Sequence, residues 1–188
     1  MLKDEVAKAF KVVQEGGTIL YPTDTIWGIG CDAANTEAVQ RIYRLKQRDE
    51  AKSMIILVDT DNKLASYVQE VPELAYTLIE YAENPLTLIM PGARNISPAL
   101  IAGDGSIGIR VSSHPFCQAL IQRLRRPLVS TSANISGKPA PQYFSQIDQE
   151  IIDGVDYVVD VDQHSMEIKN PSTIMKLSPN GVFEFLRR

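Results

Sequence analysis

Apolar side chains recur along this chain with two periods, one typical of helices and one typical of buried strands. Near the start, the helical spacing is formed by Leu2, Val6, Ala9, Phe10 and Val13. The pair Gly16-Gly17 follows and supplies the left-handed conformation with which many helices end. A short apolar run then occupies residues 18–21. The pattern predicts a helix followed by a buried strand.

A second helix is predicted from the next apolar stripe. Asn35 or Thr36 can cap its N-terminus, because a short polar side chain can accept a hydrogen bond from a free backbone amide there. The stripe consists of Val39, Ile42 and Tyr43. Lys46 and Arg48 are expected in the last turn, where positive charge suits the negative end of the helix dipole.

The remaining chain continues the alternation of helices and strands. Helices are predicted from Pro72 to about Tyr81, from Pro115 to about Leu124, and over residues 145–152. Apolar runs predict strands at residues 54–58, 86–90, 107–111, 127–130, 157–161, 173–177 and 182–186. A Pro-Asn-Gly turn joins the last two strands and indicates an antiparallel hairpin.

This order of elements predicts an α/β fold. We expect a twisted, open sheet of mixed parallel and antiparallel strands with helices on both faces. At 188 residues and 44 % hydrophobic content, the chain can bury one sizeable core. No linker or internal repeat divides it, so one domain over residues 1–188 is predicted.

Cysteine, histidine and hydropathy narrow the class of protein further. The two cysteines and two histidines form no pattern typical of a zinc site or a disulfide framework, so no metal ligands are assigned. The first residues carry several charges, and no apolar stretch approaches the roughly 18 residues that a membrane span requires. We therefore expect a cytoplasmic protein without a membrane partner.

The net charge of −4 argues against a protein that coats nucleic acid by bulk charge. Positive charge is nevertheless concentrated locally. One basic run comprises Arg41, Arg44, Lys46, Arg48 and Lys52, and a second comprises Arg123, Arg125 and Arg126. Such a run can be an ordinary solvated helix face, or it can meet an anionic ligand.

Four polar segments directly follow or lead into predicted strands. They are residues 22–30, 46–53, 106–110 and 130–137. Polar groups at strand ends are typical of ligand sites in α/β proteins, although each segment alone can be an ordinary turn. Alternation along the third segment places Ser106, Gly108 and Arg110 on one face of a strand. Taken together, the segments predict an anion-binding cleft.

Several familiar types of site are not supported. The sequence contains neither GxxxxGK[ST] nor GxGxxG, so neither a P-loop nor a Rossmann nucleotide site is supported. His114 precedes Pro115 and is interpreted as a helix-entry residue. Asp24 and Asp104 are isolated carboxylates that metal or acid–base chemistry could use, and Trp27 is interpreted as a core residue.

Five segments carry a resemblance to a known family. They are PTDTIWGIG at 22–30, the K-x-R of Lys46 and Arg48, SIGIRVSSHP at 106–115, STSANISGKP at 130–139 and PSTI at 171–174. In this order and at this spacing, the chain resembles the YrdC-like family of threonylcarbamoyl-adenylate synthases over nearly its whole length. The resemblance also implies a YrdC-like fold.

The resemblance implies a nucleotidyltransferase that uses ATP, L-threonine and bicarbonate. Its products would be threonylcarbamoyl-AMP and pyrophosphate, with Mg²⁺ on the phosphates. This is the first step in the synthesis of N6-threonylcarbamoyladenosine at position 37 of tRNA. The expected partners are a tRNA threonylcarbamoyl-transferase complex, by transient hand-over, and tRNA or double-stranded RNA, by weak binding.

The resemblance also implies roles for particular residues. Lys46 and Arg48 would be catalytic, through their hold on the triphosphate. The threonine-binding residues would be Thr25, Arg110 and Ser172. The ATP-binding residues would be Arg48, Lys52, Ser106, Ser130, Ser132, Asn134 and Arg187.

Departures from the family pattern leave two alternatives open. Asp49 follows Arg48 where a proline is common, and Ser53-Met54 replaces Pro-Leu. Leu57 stands where many members carry a histidine near threonine. A YciO-like paralogue with the same nucleotide cleft but other chemistry is one alternative. A tRNA-binding or double-stranded-RNA-binding module without chemistry is the other.

Overall fold

A computed structural model describes residues 1–188 as six α-helices around a nine-stranded sheet. The helices are α1 Leu2–Gln14, α2 Thr36–Leu45, α3 Leu64–Tyr67, α4 Glu73–Glu80, α5 Pro115–Leu124 and α6 Gln149–Gly154. The strands are β1 Ile19–Tyr21, β2 Gly28–Gly30, β3 Ile55–Val58, β4 Leu86–Pro91, β5 Ser106–Val111, β6 Leu128–Ser132, β7 Tyr157–Val158, β8 Thr173–Leu177 and β9 Phe183–Arg187.

The sheet is mixed, as its sequence pattern predicts. Its strand order is β7-β1-β2-β6-β3-β5-β4-β8-β9. The pairs β1–β7, β3–β5 and β4–β8 are parallel, and the other five neighbouring pairs are antiparallel. The predicted final hairpin is confirmed, with Leu177 opposite Phe183.

Helices cover both faces, and each face has its own apolar core. Strand alternation sends neighbouring side chains of β3 to opposite faces. Ile56 and Val58 join the larger core with α2, α3 and α4, whereas Leu57 joins the smaller core with α1 and α5. Burial of these two cores holds the helices against the sheet.

Local chemistry sets the ends of α2 and α5. Asn35 Oδ1 accepts a hydrogen bond from Ala38 N at 3.1 Å and caps α2. His114 caps α5 ahead of Pro115, which confirms its interpretation as a helix-entry residue. The expected last turn of α2 was wrong, because the helix ends at Leu45 and Gln47 has a φ of 49°.

The strand β2 lies at the end of residues 22–30, one of the four polar segments expected to form the ligand cleft. Two of its three residues are glycines, which disfavour strands in isolation. Tertiary packing requires Gly30, because a Cβ on this residue would lie 2.1 Å from Val129 O. The aromatic ring of Tyr21 occupies the space beside Gly30. Antiparallel pairing with β1 and β6 therefore overrides the local preference.

Two later elements are shorter than expected. Residues 145–152 do not form one helix, because a 3₁₀ turn at Phe144–Gln146 precedes α6. Of the strand expected at residues 157–161, only Tyr157–Val158 pairs as β7. No helix in the chain combines the length and the hydropathy needed to cross a membrane.

Candidate active site on the open face of the sheet

A cavity of about 310 Å³ lies against one face of the sheet. Leu57 and Leu128 pack beneath α1 and α5, whereas Ile55 and Ser130, two residues away on the same strands, line the cavity. The cavity therefore continues the face that carries these two helices. Its lining is Thr25, Ile26, Trp27, Gly28, Arg48, Ser53, Met54, Ile55, Thr87, Ile89, Arg110, Ser130, Thr131, Ser132, Ala140, Pro171, Ser172, Ile174 and Arg187.

The charge of this lining is entirely positive. Arg48, Arg110 and Arg187 contribute guanidinium groups, and no aspartate or glutamate lines the cavity. Hydroxyl groups of serine and threonine supply further donors around them. The chain as a whole carries a net charge of −4, so the positive charge is a local feature of the cavity. The arrangement suits an anionic ligand with several oxygen atoms.

Arg110 is held by a small buried group that we call the Arg110 cluster: Asp24, Arg110 and Ser112. Arg110 lies 3.5 Å from Asp24 Oδ1, and their side chains are 5 % and 6 % exposed. Ser112 Oγ donates to Asp24 Oδ1 at 2.9 Å. Arg110 Nε is buried and has no hydrogen-bond partner. The carboxylate therefore fixes the guanidinium and leaves it a donor for a ligand.

Ser172, the residue before β8, contacts Arg187 of β9. Arg187 Nε donates to Ser172 O at 2.9 Å, and Ser172 Oγ lies 2.8 Å from Thr87 Oγ1. Burial, together with the positive charge of Arg110, lowers the pKa of Arg187. Two guanidinium groups this close repel each other, and an anion placed between them would relieve the repulsion.

Thr25 presents an acceptor to the cavity. Thr23 Oγ1 donates its one proton to Ile26 O at 2.8 Å. In the 2.9 Å contact between Thr23 Oγ1 and Thr25 Oγ1, Thr25 must therefore be the donor. The remaining lone pairs of Thr25 Oγ1 stay free to accept a hydrogen bond from a ligand N–H or O–H.

Arg48 belongs to a loop that we call the Arg48 loop, residues 46–53. Its Nε donates to Lys52 O at 2.7 Å and its Nη2 to Ser53 O at 3.1 Å. Burial lowers the pKa of Arg48. No carboxylate pairs with this guanidinium, so its charge is free to meet a ligand in the cavity.

Lys46 is buried in the protein and does not line the cavity. It is 1 % exposed, and its ammonium donates to Ser132 O and, at 2.6 Å, to Asn134 O. Burial, with a smaller contribution from Arg48, lowers the pKa of Lys46 to about 7. The ammonium is directed at backbone carbonyls at the end of β6 and just beyond it.

The structure brings most of the residues implied by the resemblance together. Thr25, Arg48, Arg110, Ser130, Ser132, Ser172 and Arg187 all line the cavity. Lys46, Lys52, Ser106 and Asn134 do not.

The other three residues outside the lining have different environments. Lys52 is exposed. Ser106 Oγ donates to Asp104 Oδ1 at 2.6 Å, and Asn134 Nδ2 donates to Lys138 O at 2.7 Å. The bonds to Lys176 and Ser106 lower the pKa of Asp104 to about 2. The side chains of Ser106 and Asn134 thus bond within the protein.

Some lining residues escaped the sequence analysis. Ile55, Thr87, Ile89 and Ile174 look like ordinary strand residues, and only the sheet register shows that they face the cavity. Trp27 packs in the core against Phe144, with ring centroids 4.9 Å apart, and it also lines the cavity. Alternation could have assigned the strand residues if the order of the strands had been known.

Leu57, at the histidine position of the family pattern, lies beside Arg110 in the sheet. It is fully buried in the core with α1 and α5 and lies opposite Arg110 in the β3–β5 register. It is absent from the cavity lining. In this chain, Leu57 supports the strand beside Arg110 from the core.

Comparisons with known proteins identify relatives of this chain. A threonylcarbamoyl-AMP synthase of Idiomarina loihiensis is 33 % identical over 89 % of this chain and 90 % of its own. The structure of P. abyssi Sua5 complexed with L-threonine is 27 % identical, with a TM-score of 0.81, and covers 92 % of this chain. This chain spans 50 % of that Sua5 chain.

A second solved structure matches along almost its whole length. E. coli YciO is 25 % identical with a TM-score of 0.83, over 100 % of this chain and 92 % of its own. The family model Sua5_yciO_yrdC, described as "Telomere recombination", matches residues 11–188. The chain therefore belongs to the Sua5/YciO/YrdC family.

Proposed function

We propose that the protein is an L-threonylcarbamoyladenylate synthase. It would convert ATP, L-threonine and bicarbonate into threonylcarbamoyl-AMP and pyrophosphate. The observation that carries the proposal is the cavity lined by three arginines and no carboxylate, in a chain similar to threonylcarbamoyl-AMP synthases. Its volume of about 310 Å³ lies at the lower end of the range for small-molecule sites, roughly 300–1,000 Å³.

Threonine is assigned to Arg110, Thr25 and Ser172. Arg110 would bind the carboxylate, since the planar guanidinium matches two carboxylate oxygens and its Nε lacks a partner. Thr25 Oγ1 would accept a hydrogen bond from the amine or carbamate nitrogen, because its lone pairs are free. The P. abyssi Sua5 structure with L-threonine supports this choice of ligand.

ATP is assigned to the remaining lining groups. Arg48 and Arg187 would neutralise phosphate oxygens, and the hydroxyls of Ser130 and Ser132 would donate to them. Lys52 is exposed at the end of the Arg48 loop and would reach the triphosphate from solvent. Ser106 and Asn134 would act through the segments that they hold in place.

The chemistry requires positioning more than an enzyme nucleophile. The amine of threonine adds to bicarbonate to give a carbamate and water. A carbamate oxygen then attacks the α-phosphorus of ATP, and pyrophosphate leaves. The arginines stabilise the charge that develops on the phosphate oxygens, and holding the two anions side by side removes most of the entropic cost of their encounter.

Magnesium is proposed to arrive on the triphosphate. No group of three or more His, Cys, Asp or Glu side chains is arranged to hold a metal ion, and no carboxylate lines the cavity. The residues present therefore do not form a protein site for Mg²⁺, and the steps above are assigned to the side chains alone.

The product would enter tRNA modification as the first step toward N6-threonylcarbamoyladenosine at position 37. A transferase complex would accept the adenylate by transient hand-over. The net charge of −4 favours weak, salt-sensitive contact with tRNA over tight binding.

One observation favours a second candidate. The match to E. coli YciO covers nearly the whole of both chains, so a YciO-like activity on another substrate in the same nucleotide cleft is the alternative.

Pyrophosphate release and mass spectrometry separate the two candidates. The purified protein is incubated with ATP, threonine, bicarbonate and magnesium, and each of the first three is omitted in turn. A synthase gives threonylcarbamoyl-AMP and releases pyrophosphate only when all are present. ATP turnover indifferent to threonine and bicarbonate would reject the synthase and support the paralogue.

A further inference from the structure

Lys46 makes an unusual set of contacts for a residue of a conspicuous basic run. Its side chain donates to Ser132 O and Asn134 O, and its own carbonyl accepts from Ser136 N at 2.8 Å. All three contacts go to the last residue of β6 and the segment that follows it. The residue is 1 % exposed and lies at the C-terminal cap of α2.

The contacted segment, residues 131–138, forms one side of the cavity and provides two of its hydroxyl groups. Thr131 and Ser132 line the cavity directly. The segment has little regular structure beyond Ser132, where β6 ends. Its shape therefore depends on side-chain contacts from elsewhere in the chain.

Asn134 holds the same segment from within. Its Nδ2 donates to Ile135 O at 3.0 Å and to Lys138 O at 2.7 Å. Lys46 joins the start of the segment to α2, and Asn134 closes its turn. Neither side chain lines the cavity.

We propose that Lys46 is a positioning residue whose hydrogen bonds hold segment 131–138 against α2, and that the hydrogen bonds of Asn134 stabilise the turn of the same segment. We call this set of hydrogen bonds the brace. Arg48, two residues after Lys46, is then the cation of the K-x-R pair that meets the ligand. The assignment rests on the proposed function only for the identity of that ligand, ATP. The brace itself is a property of the free protein.

Charge geometry supports this division between the two cations. An ammonium bonded to two carbonyls and shielded from solvent cannot contact a phosphate in the cavity without giving up those bonds. Arg48 lines the cavity and has no carboxylate partner. Loss of Lys46 would instead leave two buried carbonyls without a donor, so segment 131–138 would rearrange.

The first test measures hydrogen exchange in the free protein for wild type, Lys46→Met and the matched control Arg48→Met. Methionine keeps the length of each side chain and removes the donors. Lys46→Met is expected to raise exchange about tenfold or more within residues 131–138, with α5 unchanged. Arg48→Met should leave segment 131–138 at the wild-type rate. Unchanged exchange in Lys46→Met would overturn the proposal.

The second test measures ATP binding as a function of salt. Lys46→Met is expected to weaken ATP binding about tenfold, because the hydroxyl groups of Thr131 and Ser132 would be displaced. The salt dependence of binding should remain that of wild type. Arg48→Met should flatten that dependence, because a cation that faces phosphate is lost. An equal flattening in Lys46→Met would identify Lys46 as a direct phosphate ligand and overturn the proposal.

A second variant keeps the proposal testable if Lys46→Met does not fold. Asn134→Ala removes only the inner contacts and is expected to raise exchange at residues 135–138 with an unchanged salt dependence for ATP. Wild-type exchange in Asn134→Ala would contradict the brace. If wild type bound no ATP, the proposed function would fail, whereas the exchange results would still decide the role of Lys46.

Discussion

Arg110 and Arg48 line the same cavity, but the protein compensates their charges in different ways. Arg110 lies 3.5 Å from a carboxylate, and both side chains of that pair are almost fully buried. Arg48 donates only to carbonyl groups of its own loop. One guanidinium is thus part of a buried ion pair, and the other keeps its full charge toward the cavity.

This difference matches the charges of the two proposed ligands. A partly neutralised Arg110 suits the single negative charge of a carboxylate and is held in one orientation before the ligand arrives. An uncompensated Arg48 suits the multiple charges of a triphosphate. The comparison predicts that mutations in the Arg110 cluster affect stability as well as binding, whereas mutations in the Arg48 loop affect mainly binding.

The largest effect is expected from Arg110→Met. Removing the guanidinium leaves Asp24 buried without its cation, which we expect to lower the free energy of unfolding by about 3–5 kcal/mol. Urea denaturation measures this loss. The double variant Asp24→Asn/Arg110→Met should recover part of it, because the orphaned charge is gone. A loss below about 1 kcal/mol would show that the pair is not a structural unit.

Arg48→Met should have the next largest effect, and on binding alone. Losing charge-assisted hydrogen bonds to phosphate is expected to weaken ATP binding about 10- to 100-fold. The free energy of unfolding should change by less than about 1 kcal/mol, because only loop carbonyls lose a donor. Calorimetric titration with ATP and urea denaturation give the two values. A stability loss equal to that of Arg110→Met would show that Arg48, like Arg110, is needed for the stability of the fold.

Lys46 should make stability depend on alkaline pH. Its pKa is about 7 in the folded protein against a usual value of 10.5, so between these values the unfolded chain binds more protons and stability rises with pH. From pH 7 to pH 9, wild type should gain on the order of 2 kcal/mol relative to Lys46→Met. Urea denaturation of both proteins across this range measures the difference. A constant difference would show that Lys46 keeps an ordinary pKa.

Lys52→Ala should have the smallest effect. The side chain is exposed and absent from the cavity lining, so its attraction for phosphate is screened. We expect ATP binding to weaken less than about threefold, measured by the same titration. A tenfold loss would show that Lys52 reaches the ligand as directly as Arg48.

Much of the fold follows from local sequence signals. The caps at Asn35 and His114 and the Pro-Asn-Gly hairpin rely on contacts within a few residues, so they could be predicted. The strand β2 could not, because its Gly30 is required by Tyr21 and Val129, which come from two other strands.

The candidate site shows the same limit. The arginines and hydroxyls at strand ends indicated an anion site, and seven of the residues singled out line one cavity. The partner of Arg110 could not be predicted, because Asp24 and Arg110 are far apart in sequence and meet only through the fold. The sequence likewise could not show that Lys46 is directed away from the cavity, since carbonyl acceptors leave no compositional signal.

The position of β9 has a consequence for how the site comes into being during protein synthesis. Arg187 contacts Ser172 from the ninth strand, after every other cavity residue has been translated. Chains grow on the ribosome at roughly 5–20 residues per second, and earlier segments begin to fold before later ones emerge. A nascent chain can therefore assemble the sheet from β1 to β6 while still lacking a guanidinium of its cavity. Ligand contacts that use Arg187 become possible only once the final hairpin has formed.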